Sequence, residues 1–531
     1  MTDANVNTEK RGLVRIVRGL TPLALLASWP FIAFLANNRT QTLRIEEVLV
    51  PWIAYLTIAI AGTLCVALLL KKQPISRIAI VVGVLSTVFF SFGSIAHLLI
   101  LAGIELGTVW LGAWFVVFVL AGWLSWVLAR RPSAGFVTTV VGLALIAWPA
   151  LQLVTYGLGS ATPQMEAPAG ASPVAARPAG TQRPNVYWFL LDGYARGDSL
   201  KRYFNHDNEP FLEFLTARGF QIARAAYSNY DNTTLSLTST LNTTYRQLPD
   251  GKRPDPAVQI STLSGFNPVV RKFDSLGYSY FHAPYAGAAK TQCGGSEDRC
   301  IQASPTGSIR LNEVQVSMLQ LTPLFRISRK VLPGAFRYDH IFVEDVMAAM
   351  GPAETSPFFL FAHILSPHAP PRFAPNCERL DGAISAIDIG EKYYDPAQFR
   401  TDTICTNRSV EAAVTQIIAS DTSDPIIILQ GDHGFKFRLP GELPAMPEAA
   451  TEGAEPVRRL ATLNAIRLPS ACRSQFYDSL SPVNTFRLVF ACLEGRTPDL
   501  LPERHFLRPR GSAGGVVEVN PANTTLSPAG G

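Results

Sequence analysis

Long uncharged apolar stretches alternate with short charged segments over the first 157 residues of the chain. A transmembrane helix needs about 20 apolar residues, with a range of about 17–25, to cross a hydrocarbon core about 30 Å thick. Its backbone must also satisfy its own hydrogen bonds in lipid. Five stretches without Asp, Glu, Lys or Arg are long enough: residues 20–36, 48–70, 78–103, 109–129 and 136–156. The pattern predicts a bundle of five transmembrane helices over residues 1–157.

Basic residues mark one side of this bundle. They cluster in the N-terminal segment and in the loops after the second and fourth stretches: Lys10, Arg11, Arg15, Arg18, Lys71, Lys72, Arg77, Arg130 and Arg131. The alternate loops carry only Arg39 and Arg44 as basic residues. Because cytoplasmic loops are enriched in Lys and Arg, the N-terminus is predicted to be cytoplasmic. Five crossings then place everything after Tyr156 outside the cytoplasm.

The overall composition fits a membrane protein. The 531 residues are 48% hydrophobic and 16% charged, whereas soluble domains average about 25% charged residues. This excludes a collagen and a disordered tail, and it argues against a wholly soluble globule. The net charge is only +5, and the excess of positive residues lies within residues 1–157. The chain therefore has no basic domain of the kind that binds nucleic acid.

A Pro-rich and Ala-rich segment follows the last apolar stretch. Five prolines are spaced among Ala, Gly and Ser over residues 158–184, which is typical of an extended, semi-rigid linker. A disordered spacer is the alternative, and the two differ little in function. The linker separates residues 1–157 from a second region, 185–531.

Short apolar runs alternate with helical patterns in this second region. Residues 185–191 (NVYWFLL), 358–365 (FFLFAHIL) and 425–430 (PIIILQ) are continuous apolar runs, typical of strands buried on both faces of a parallel sheet. Residues 211–215 and 410–418 have apolar positions at helical spacing. The alternation predicts an α/β sandwich with a mostly parallel sheet, following the five-helix bundle.

The cysteines agree with a location outside the cytoplasm, where disulfides form. Six of the seven lie in the second region: Cys293, Cys300, Cys377, Cys405, Cys472 and Cys492. Six cysteines allow 15 connectivities, and we predict that each pairs with its nearest neighbour in sequence. A zinc site is the weaker alternative, because no CxxC pair occurs.

Acidic residues stand directly after two of the apolar runs. Asp192 follows NVYWFLL, and Asp432 and His433 follow PIIILQ-Gly431. In open α/β sheets, ligands bind outside the carboxyl ends of the strands, and carboxylate and imidazole groups suit Zn²⁺ or Mn²⁺. Neighbouring strands would bring these residues together as a metal site. The alternative is that they are two unrelated strand-end caps.

Residues 227–245 (YSNYDNTTLSLTSTLNTTY) are dense in hydroxyl groups and poor in charge. A hydroxyl is a weak nucleophile until a metal ion or a base lowers its pKa. The candidates are Thr233, Thr234, Ser236, Thr238, Ser239 and Thr240. The alternative is a polar turn followed by an amphipathic helix.

Four motifs together resemble the sulfatase-like branch of the alkaline phosphatase superfamily: PNVYWFLLDGYAR, YSNYDNTTLSLTSTLN, AHILSPHAPPRF and IIILQGDHG, in this order. Five apolar stretches before an outward domain are also similar to lipoteichoic acid synthases and lipid A phosphoethanolamine transferases. The resemblance implies an alkaline-phosphatase-like fold for residues 185–531. It also implies that Asp192, Asp432 and His433 hold a divalent metal ion (Mn²⁺, Zn²⁺ or Mg²⁺), and one ion is the expectation.

The resemblance also assigns a nucleophile. In the synthases the reactive Thr precedes an Asn by nine residues and a Tyr by twelve. Thr233 has Asn242 and Tyr245 at these offsets, so Thr233 is the expected nucleophile and a further metal ligand, with Thr234 as the alternative.

Three more residues complete the predicted site. His368 in SPHAPP matches a His that contacts the transferred group or the leaving oxygen. Lys436 is expected to steer an anionic substrate, unless it is an ordinary surface charge. His363 is expected to be a buried, hydrogen-bonded side chain.

The function that these residues imply is a metal-dependent transferase or hydrolase acting on phosphoesters of a lipid-linked or glycan substrate. It would act at the outer face of a bacterial inner membrane, among membrane lipids and without nucleic acid. The Cys/Ser-x-Pro/Ala-x-Arg signature of sulfatases does not follow the first strand, which favours phosphoryl transfer over sulfate-ester hydrolysis. The alternatives are a sulfatase or phosphatase-type hydrolase without transfer activity, and a non-catalytic membrane scaffold.

Overall fold

The structure is a computed structural model, and it divides the chain into two compact units. One comprises Met1–Gly159 and Ile309–Phe336, and the other comprises Ser160–Ser308 and Arg337–Gly531. The residues that it describes are 2–39, 45–101, 109–158, 160–161, 183–245, 253–254, 256–285, 291–302, 313–331, 341–351, 357–369, 371–380, 396–436, 455–508 and 516–521.

Helices and strands are numbered along the chain. The helices are α1 (Thr2–Asn37), α2 (Ile45–Leu69), α3 (Ile75–Leu101), α4 (Val109–Leu128), α5 (Ala134–Leu158), α6 (Gly197–Phe204), α7 (Glu209–Ala217), α8 (Thr233–Asn242), α9 (Pro256–Leu263), α10 (Pro268–Ser275), α11 (Glu313–Gln320), α12 (Leu324–Val331), α13 (Val343–Met350), α14 (Pro396–Ser420), α15 (Glu455–Leu460) and α16 (Pro482–Glu494). The strands are β1 (Ser160–Ala161), β2 (Val186–Leu191), β3 (Phe220–Ile222), β4 (Arg253–Pro254), β5 (Ser279–Ala283), β6 (Arg299–Cys300), β7 (Phe358–Ile364), β8 (Ile426–Gly431), β9 (Asn464–Arg467), β10 (His505–Leu507) and β11 (Val517–Val519).

Five helices of the first unit are long and apolar enough to cross a membrane, which confirms the five predicted apolar helices. Their apolar spans are Ile16–Asn37, Ile45–Leu69, Ile75–Ala96, Val109–Leu128 and Ala134–Tyr156. The predicted orientation, with a cytoplasmic N-terminus, stays a prediction.

Small residues and polar pairs hold the helices of this unit together. A Cβ atom at Gly83 of α3 would lie 3.3 Å from the backbone of Leu23 in α1, so glycine at this position lets the two helices approach closely. Tyr55 of α2 donates a hydrogen bond to Ser86 of α3, with the oxygens 2.8 Å apart. Such contacts stabilise helices in lipid, where apolar side chains gain little from leaving the surrounding hydrocarbon.

The second unit is built on a seven-stranded sheet in the order β3-β9-β8-β2-β7-β5-β6. β2 lies at the centre and pairs in parallel with β7 and β8, so the three apolar runs predicted as strands are neighbours. β5 and β6 continue the parallel arrangement, while β9 runs antiparallel to β8 and β3. The predicted α/β fold with a mostly parallel sheet is confirmed.

Both faces of this sheet are covered, which explains why its central strands have no alternation of apolar and polar residues. Tyr187, Phe189 and Leu191 of β2 belong to a core cluster with helices α6, α7, α13 and α14. The intervening residues of β2 belong to a second cluster with α8, α10 and α16. The carboxyl ends of β2, β7 and β8 therefore meet at one edge between two layers of helices.

The three predicted disulfides are confirmed in the second unit. The pairs are Cys293–Cys300, Cys377–Cys405 and Cys472–Cys492. Cys65 of α2 is the free cysteine of the described part of the chain.

Candidate active site and metal centre

The strand ends bring two carboxylates and one imidazole together. In the pairing of β2 with β8, Leu191 lies opposite Gly431, so the residues that follow them, Asp192 and Asp432, are placed side by side. His433 comes next in the chain. All three side chains are buried, with 3%, 1% and 1% of their residue surfaces exposed. Carboxylates at this depth require compensation by partners or by a cation.

His433 presents an unprotonated nitrogen to the two carboxylates. Its Nδ1 donates to the carbonyl oxygen of Gly434 at 2.5 Å, which leaves the lone pair of the neutral ring on Nε2. This Nε2 lies 3.4 Å from Oδ2 of Asp432 and 3.6 Å from Oδ1 of Asp192. Three atoms with available lone pairs therefore face one another.

The arrangement fits a divalent metal ion. Oδ1 of Asp192 and Oδ2 of Asp432 are buried, and neither has a hydrogen-bond partner among the residues that the structure describes. The other oxygen of Asp432, Oδ1, accepts from the backbone N–H groups of Gly193 (2.9 Å) and His433 (3.0 Å), which fixes the orientation of this carboxylate. Ligand atoms of Asp192, His433 and His368 all lie within 4.8 Å of one another. Oxygen and imidazole donors in this number suit Zn²⁺ or Mn²⁺.

A second cluster does not fit a metal ion. His282, Cys293 and Glu297 have potential ligand atoms within 4.8 Å of one another. However, the sulfur of Cys293 is bonded to Cys300, and metal binding requires the thiolate.

Thr233 lies at the same edge of the sheet. It is the first residue of α8, and its Oγ1 lies 3.4 Å from Nε2 of His433. Asn232 caps the helix, since its side chain accepts from the N–H of Leu235 at 3.0 Å. The partial positive charge of a helix N-terminus favours an oxyanion at this position.

Three of the five other hydroxyl candidates are directed elsewhere. Thr238, Ser239 and Thr240 donate to backbone carbonyl oxygens of Thr234, Thr244 and Ser236. Geometry thus favours Thr233 as the candidate. Asn242 and Tyr245, which supported the choice of Thr233, bond to the carbonyl oxygens of Thr238 and Pro502 instead, and so they secure the end of α8.

The electrostatics of the two carboxylates differ. Burial alone would raise the pKa of Asp192, but the charge of His368 and the hydrogen bond from His363 outweigh it and hold this pKa well below its usual range. Burial and the charge of Asp192 raise the pKa of Asp432. Burial and the charge of Lys436 lower the pKa of His433 well below its usual value, which keeps its imidazole neutral, as metal binding requires.

His363 has a closer relation to the site than the sequence indicated. It is fully buried in β7, as predicted, and its Nε2 lies 3.3 Å from Oδ2 of Asp192. Thr291 accepts from the N–H of Tyr285 at 3.0 Å and donates to Nδ1 of His363 at 2.9 Å. An ionised carboxylate can only accept, so the proton of a neutral His363 lies on Nε2 and is donated to Asp192. His363 therefore orients the carboxylate.

His368 reaches the site through a glycine. Gly193, directly after Asp192, has φ of +68°, and a Cβ atom there would lie 3.2 Å from the ring of His368. Glycine is needed both for this backbone conformation and for the approach of the ring. Nδ1 of His368 lies 2.8 Å from the carbonyl oxygen of Ala369, so Nε2 is the nitrogen available to the site.

The glycines beside Asp432 and His433 have a different role from that of Gly193. Neither Gly431 nor Gly434 has positive φ, so a sharp turn does not require them. A Cβ atom at Gly431 would meet the Thr462 side chain and the Tyr194 carbonyl oxygen, and one at Gly434 would meet the Arg458 carbonyl oxygen. They are needed because neighbouring backbone lies too close for a side chain.

A buried acid, Asp402 of α14, holds the loop that carries His368. Its carboxylate accepts from the backbone N–H groups of Arg372 (3.1 Å) and Phe373 (3.0 Å) and from Gln398 (3.2 Å). Burial raises the pKa of Asp402 to about 6, although these hydrogen bonds act in the opposite direction. The loop is therefore clamped by a group that titrates in the mildly acidic range.

This raised pKa predicts a dependence of stability on pH. Between about pH 4 and about pH 6, Asp402 keeps its proton in the folded protein but loses it in the unfolded chain, so rising pH lowers the free energy of unfolding, by on the order of 2 kcal/mol. Asn cannot ionise and keeps the main acceptor oxygen. The Tm of Asp402→Asn relative to wild type is therefore expected to rise between these pH values. Asp274→Asn, at an exposed position, is the matched control. A relative Tm that stays constant or falls would contradict the assignment.

Comparison with solved structures finds several matches at low sequence identity. The chain is similar to the C-terminal periplasmic domain of EcEptC from Escherichia coli, at 10% identity and a TM-score of 0.41, over 67% of this chain and 98% of that one. It is similar to the integral membrane protein lipooligosaccharide phosphoethanolamine transferase A from Neisseria meningitidis, at 11% identity and a TM-score of 0.39, over 89% of this chain and 95% of that one. A protein in the alkaline phosphatase superfamily from Vibrio parahaemolyticus matches at 14% identity and a TM-score of 0.37, over 62% and 73% of the two chains.

Comparisons of sequence find no match. No family model matches the chain, and no curated protein does.

Proposed function

We propose that this protein is a membrane-anchored, metal-dependent enzyme that transfers or hydrolyses phosphoesters through Thr233. The observation that carries the proposal is the position of the Thr233 hydroxyl. It lies 3.4 Å from Nε2 of His433, at the point where two buried carboxylates present oxygens without partners in the described part of the chain.

The residues of the site have separate tasks in this reaction. Asp192, Asp432, His433 and Thr233 would hold the metal ion, which when bound lowers the pKa of a hydroxyl and stabilises charge on phosphoryl oxygens. His363 and the N–H of Gly193 orient the two carboxylates. The N-terminus of α8 stabilises negative charge that develops on Oγ1 of Thr233.

The proposed reaction has two steps. Oγ1 of Thr233 attacks phosphorus, its bond to phosphorus forms, and the bond from phosphorus to the leaving oxygen breaks. Nε2 of His368 donates the proton that the leaving oxygen needs. An acceptor hydroxyl or water then gives one proton to Nε2 of His368 and attacks phosphorus. The bond from phosphorus to Oγ1 of Thr233 breaks, and Oγ1 takes back from solvent the proton that it released to solvent in the first step. Lys436, whose charge reaches both Asp432 and His433, attracts the anionic substrate.

The five apolar helices support a choice of substrate class. Five helices apolar enough to cross a membrane place the enzyme among lipids, so an amphiphilic phosphoester donor is favoured. A polysaccharide or glycan hydroxyl suits the acceptor. With a cytoplasmic N-terminus, the reaction takes place at the outer face of the inner membrane.

The proposal is tested with the full-length protein in detergent. Hydrolysis of bis(4-nitrophenyl) phosphate is expected to require Mn²⁺ or Zn²⁺, to stop with a chelator and to return when metal is restored. 4-Nitrophenyl sulfate is the matched control substrate, because it tests for sulfate-ester hydrolysis. Activity without metal, or a preference for the sulfate, would contradict the proposal.

With an added acceptor alcohol, a phosphorylated alcohol among the products identifies a transferase, and free phosphomonoester alone identifies a hydrolase.

A further inference from the structure

Two short helices from the middle of the chain belong to the unit with the five apolar helices. α11 and α12 lie in Ile309–Phe336, which groups with Met1–Gly159. Val314 and Met318 of α11 are buried in one cluster with residues from three of the long helices: Phe31, Phe34, Val48 and Phe90. The N–H of Gly93 in α3 donates to the carbonyl oxygen of Leu321 at 3.1 Å.

These contacts place α11 at one end of the apolar bundle. Phe34 lies three residues before the end of its apolar span, Val48 three residues after the start of its span, and Gly93 three residues before the end of its span. At 1.5 Å per residue, each contact is about 5 Å inside the apolar zone. α11 contacts the C-terminal ends of α1 and α3 and the N-terminal end of α2, so these three helix ends lie together. α11 therefore lies at the boundary between the apolar zone and water.

Three residues separate α12 from α11, and α12 has an apolar face that the described residues leave exposed. Leu324, Ile327 and Val331 are 46%, 50% and 68% exposed. Their spacing of three and four residues puts them on one side of the helix. Phe325, in contrast, is 7% exposed. An apolar face left open in a folded unit calls for a partner.

The charge of this segment indicates which partner. Helix α12 contains Arg326, Arg329 and Lys330 and no Asp or Glu. A short helix with an apolar face and several basic residues is typical of a helix that lies in the membrane surface, with the apolar side among acyl chains and the bases near anionic headgroups.

We propose that α12 is an interfacial helix that binds the bilayer in plane. Leu324, Ile327 and Val331 insert at the border of the acyl chains, and the positive charge of the sequence 324–331 is attracted to anionic phospholipids. The occupant is lipid because α12 follows α11, whose Val314 and Met318 pack against the ends of three apolar helices, and because the exposed apolar side chains lie on a helix with basic residues. The proposal does not depend on the reaction catalysed by the other unit.

The test uses the full chain in lipid nanodiscs with a spin label at Ile327→Cys, in a Cys65→Ala background. Labels at Val116→Cys, on an exposed position of α4, and at Ser275→Cys, on an exposed position of the other unit, calibrate lipid and water. The ratio of oxygen to nickel-complex accessibility at 327 is expected to exceed that at 275 several-fold and to approach that at 116. A ratio equal to that at 275 would overturn the proposal, and so would dipolar broadening at 327, which would identify a second copy as the partner.

The attraction of the basic residues of α12 to anionic headgroups is tested separately. Adding phosphatidylglycerol to phosphatidylcholine nanodiscs is expected to raise the ratio at 327 in the otherwise native chain. The response should disappear when Arg329→Gln and Lys330→Gln are combined. An equal response in both proteins would refute binding of anionic headgroups by these residues.

Discussion

Thr233→Ala is expected to lower the turnover of a phosphodiester substrate by at least ~10³-fold, because removal of a nucleophile leaves only the contribution of binding and electrostatics. The effect should appear in kcat. The side chain is buried at the start of α8, and Ala is tolerated at the first position of a helix, so the fold and metal content are expected to stay close to those of the wild type. Steady-state kinetics, together with metal analysis of the purified variant, provide the measurement.

Two further variants make this result specific. Thr233→Ser keeps a hydroxyl and should retain part of the activity. Thr234→Ala is the matched control at the neighbouring position, whose side chain is only half-buried, and its activity should remain near that of the wild type. A large loss in Thr234→Ala with normal activity in Thr233→Ala would move the nucleophile by one residue.

Asp432→Asn is expected to stabilise the metal-free protein while it weakens metal binding by about 100-fold or more. Asn keeps Oδ1 as the acceptor for Gly193 and His433 and removes a carboxylate buried beside Asp192. Because burial and the charge of Asp192 raise the pKa of Asp432, its ionised form is unfavourable in the folded state, and this cost is present at about pH 8. The Tm measured in chelator should therefore rise, whereas added metal should stabilise only the wild type.

Asp421→Asn is the matched control for this pair of measurements. Oδ2 of Asp421 accepts from Asn185 (2.9 Å) and Tyr187 (3.0 Å), near the opposite end of β2. In Asp421→Asn, an amide N–H donor would face Asn185 and Tyr187, which also donate. The Tm of this variant should therefore fall with and without metal, and its affinity for metal should not change. If Asp432→Asn behaves in the same way, Asp432 is a structural residue and the proposed metal centre is wrong.

The part of this site that could be predicted comes from the central strands. Continuous apolar runs predicted β2, β7 and β8, and the rule that ligands gather at carboxyl strand ends placed Asp192 near Asp432 and His433. Thr233 required the resemblance as well, because several hydroxyls lie on α8 and sequence alone does not orient them. The disulfides could be predicted from the sequence because each cysteine pairs with the next cysteine along the chain.

Other features depend on contacts between distant parts of the chain. The bond from His363 to Asp192 requires that β7 lie beside β2 in one register, with Leu190 opposite His363. The clamp at Asp402 connects α14 to a loop 30 residues earlier. The docking of α11 on the ends of α1, α2 and α3 joins segments more than 200 residues apart. The periodicity of the local sequence does not predict contacts between such distant segments. The start of α8, in contrast, could have been predicted, because Asn232 before the hydroxyl-rich helix is a capping signal.

The placement of residues 309–336 bears on how a soluble form of the second unit should be made. Truncation before the sheet alone would leave Val314 and Met318 without the helices that bury them, and Leu324, Ile327 and Val331 without lipid. Exposed apolar surface of this kind promotes aggregation. A secreted catalytic fragment should therefore lack this internal segment as well, with a flexible Gly/Ser bridge in its place, so that what is expressed contains only residues that fold around the sheet.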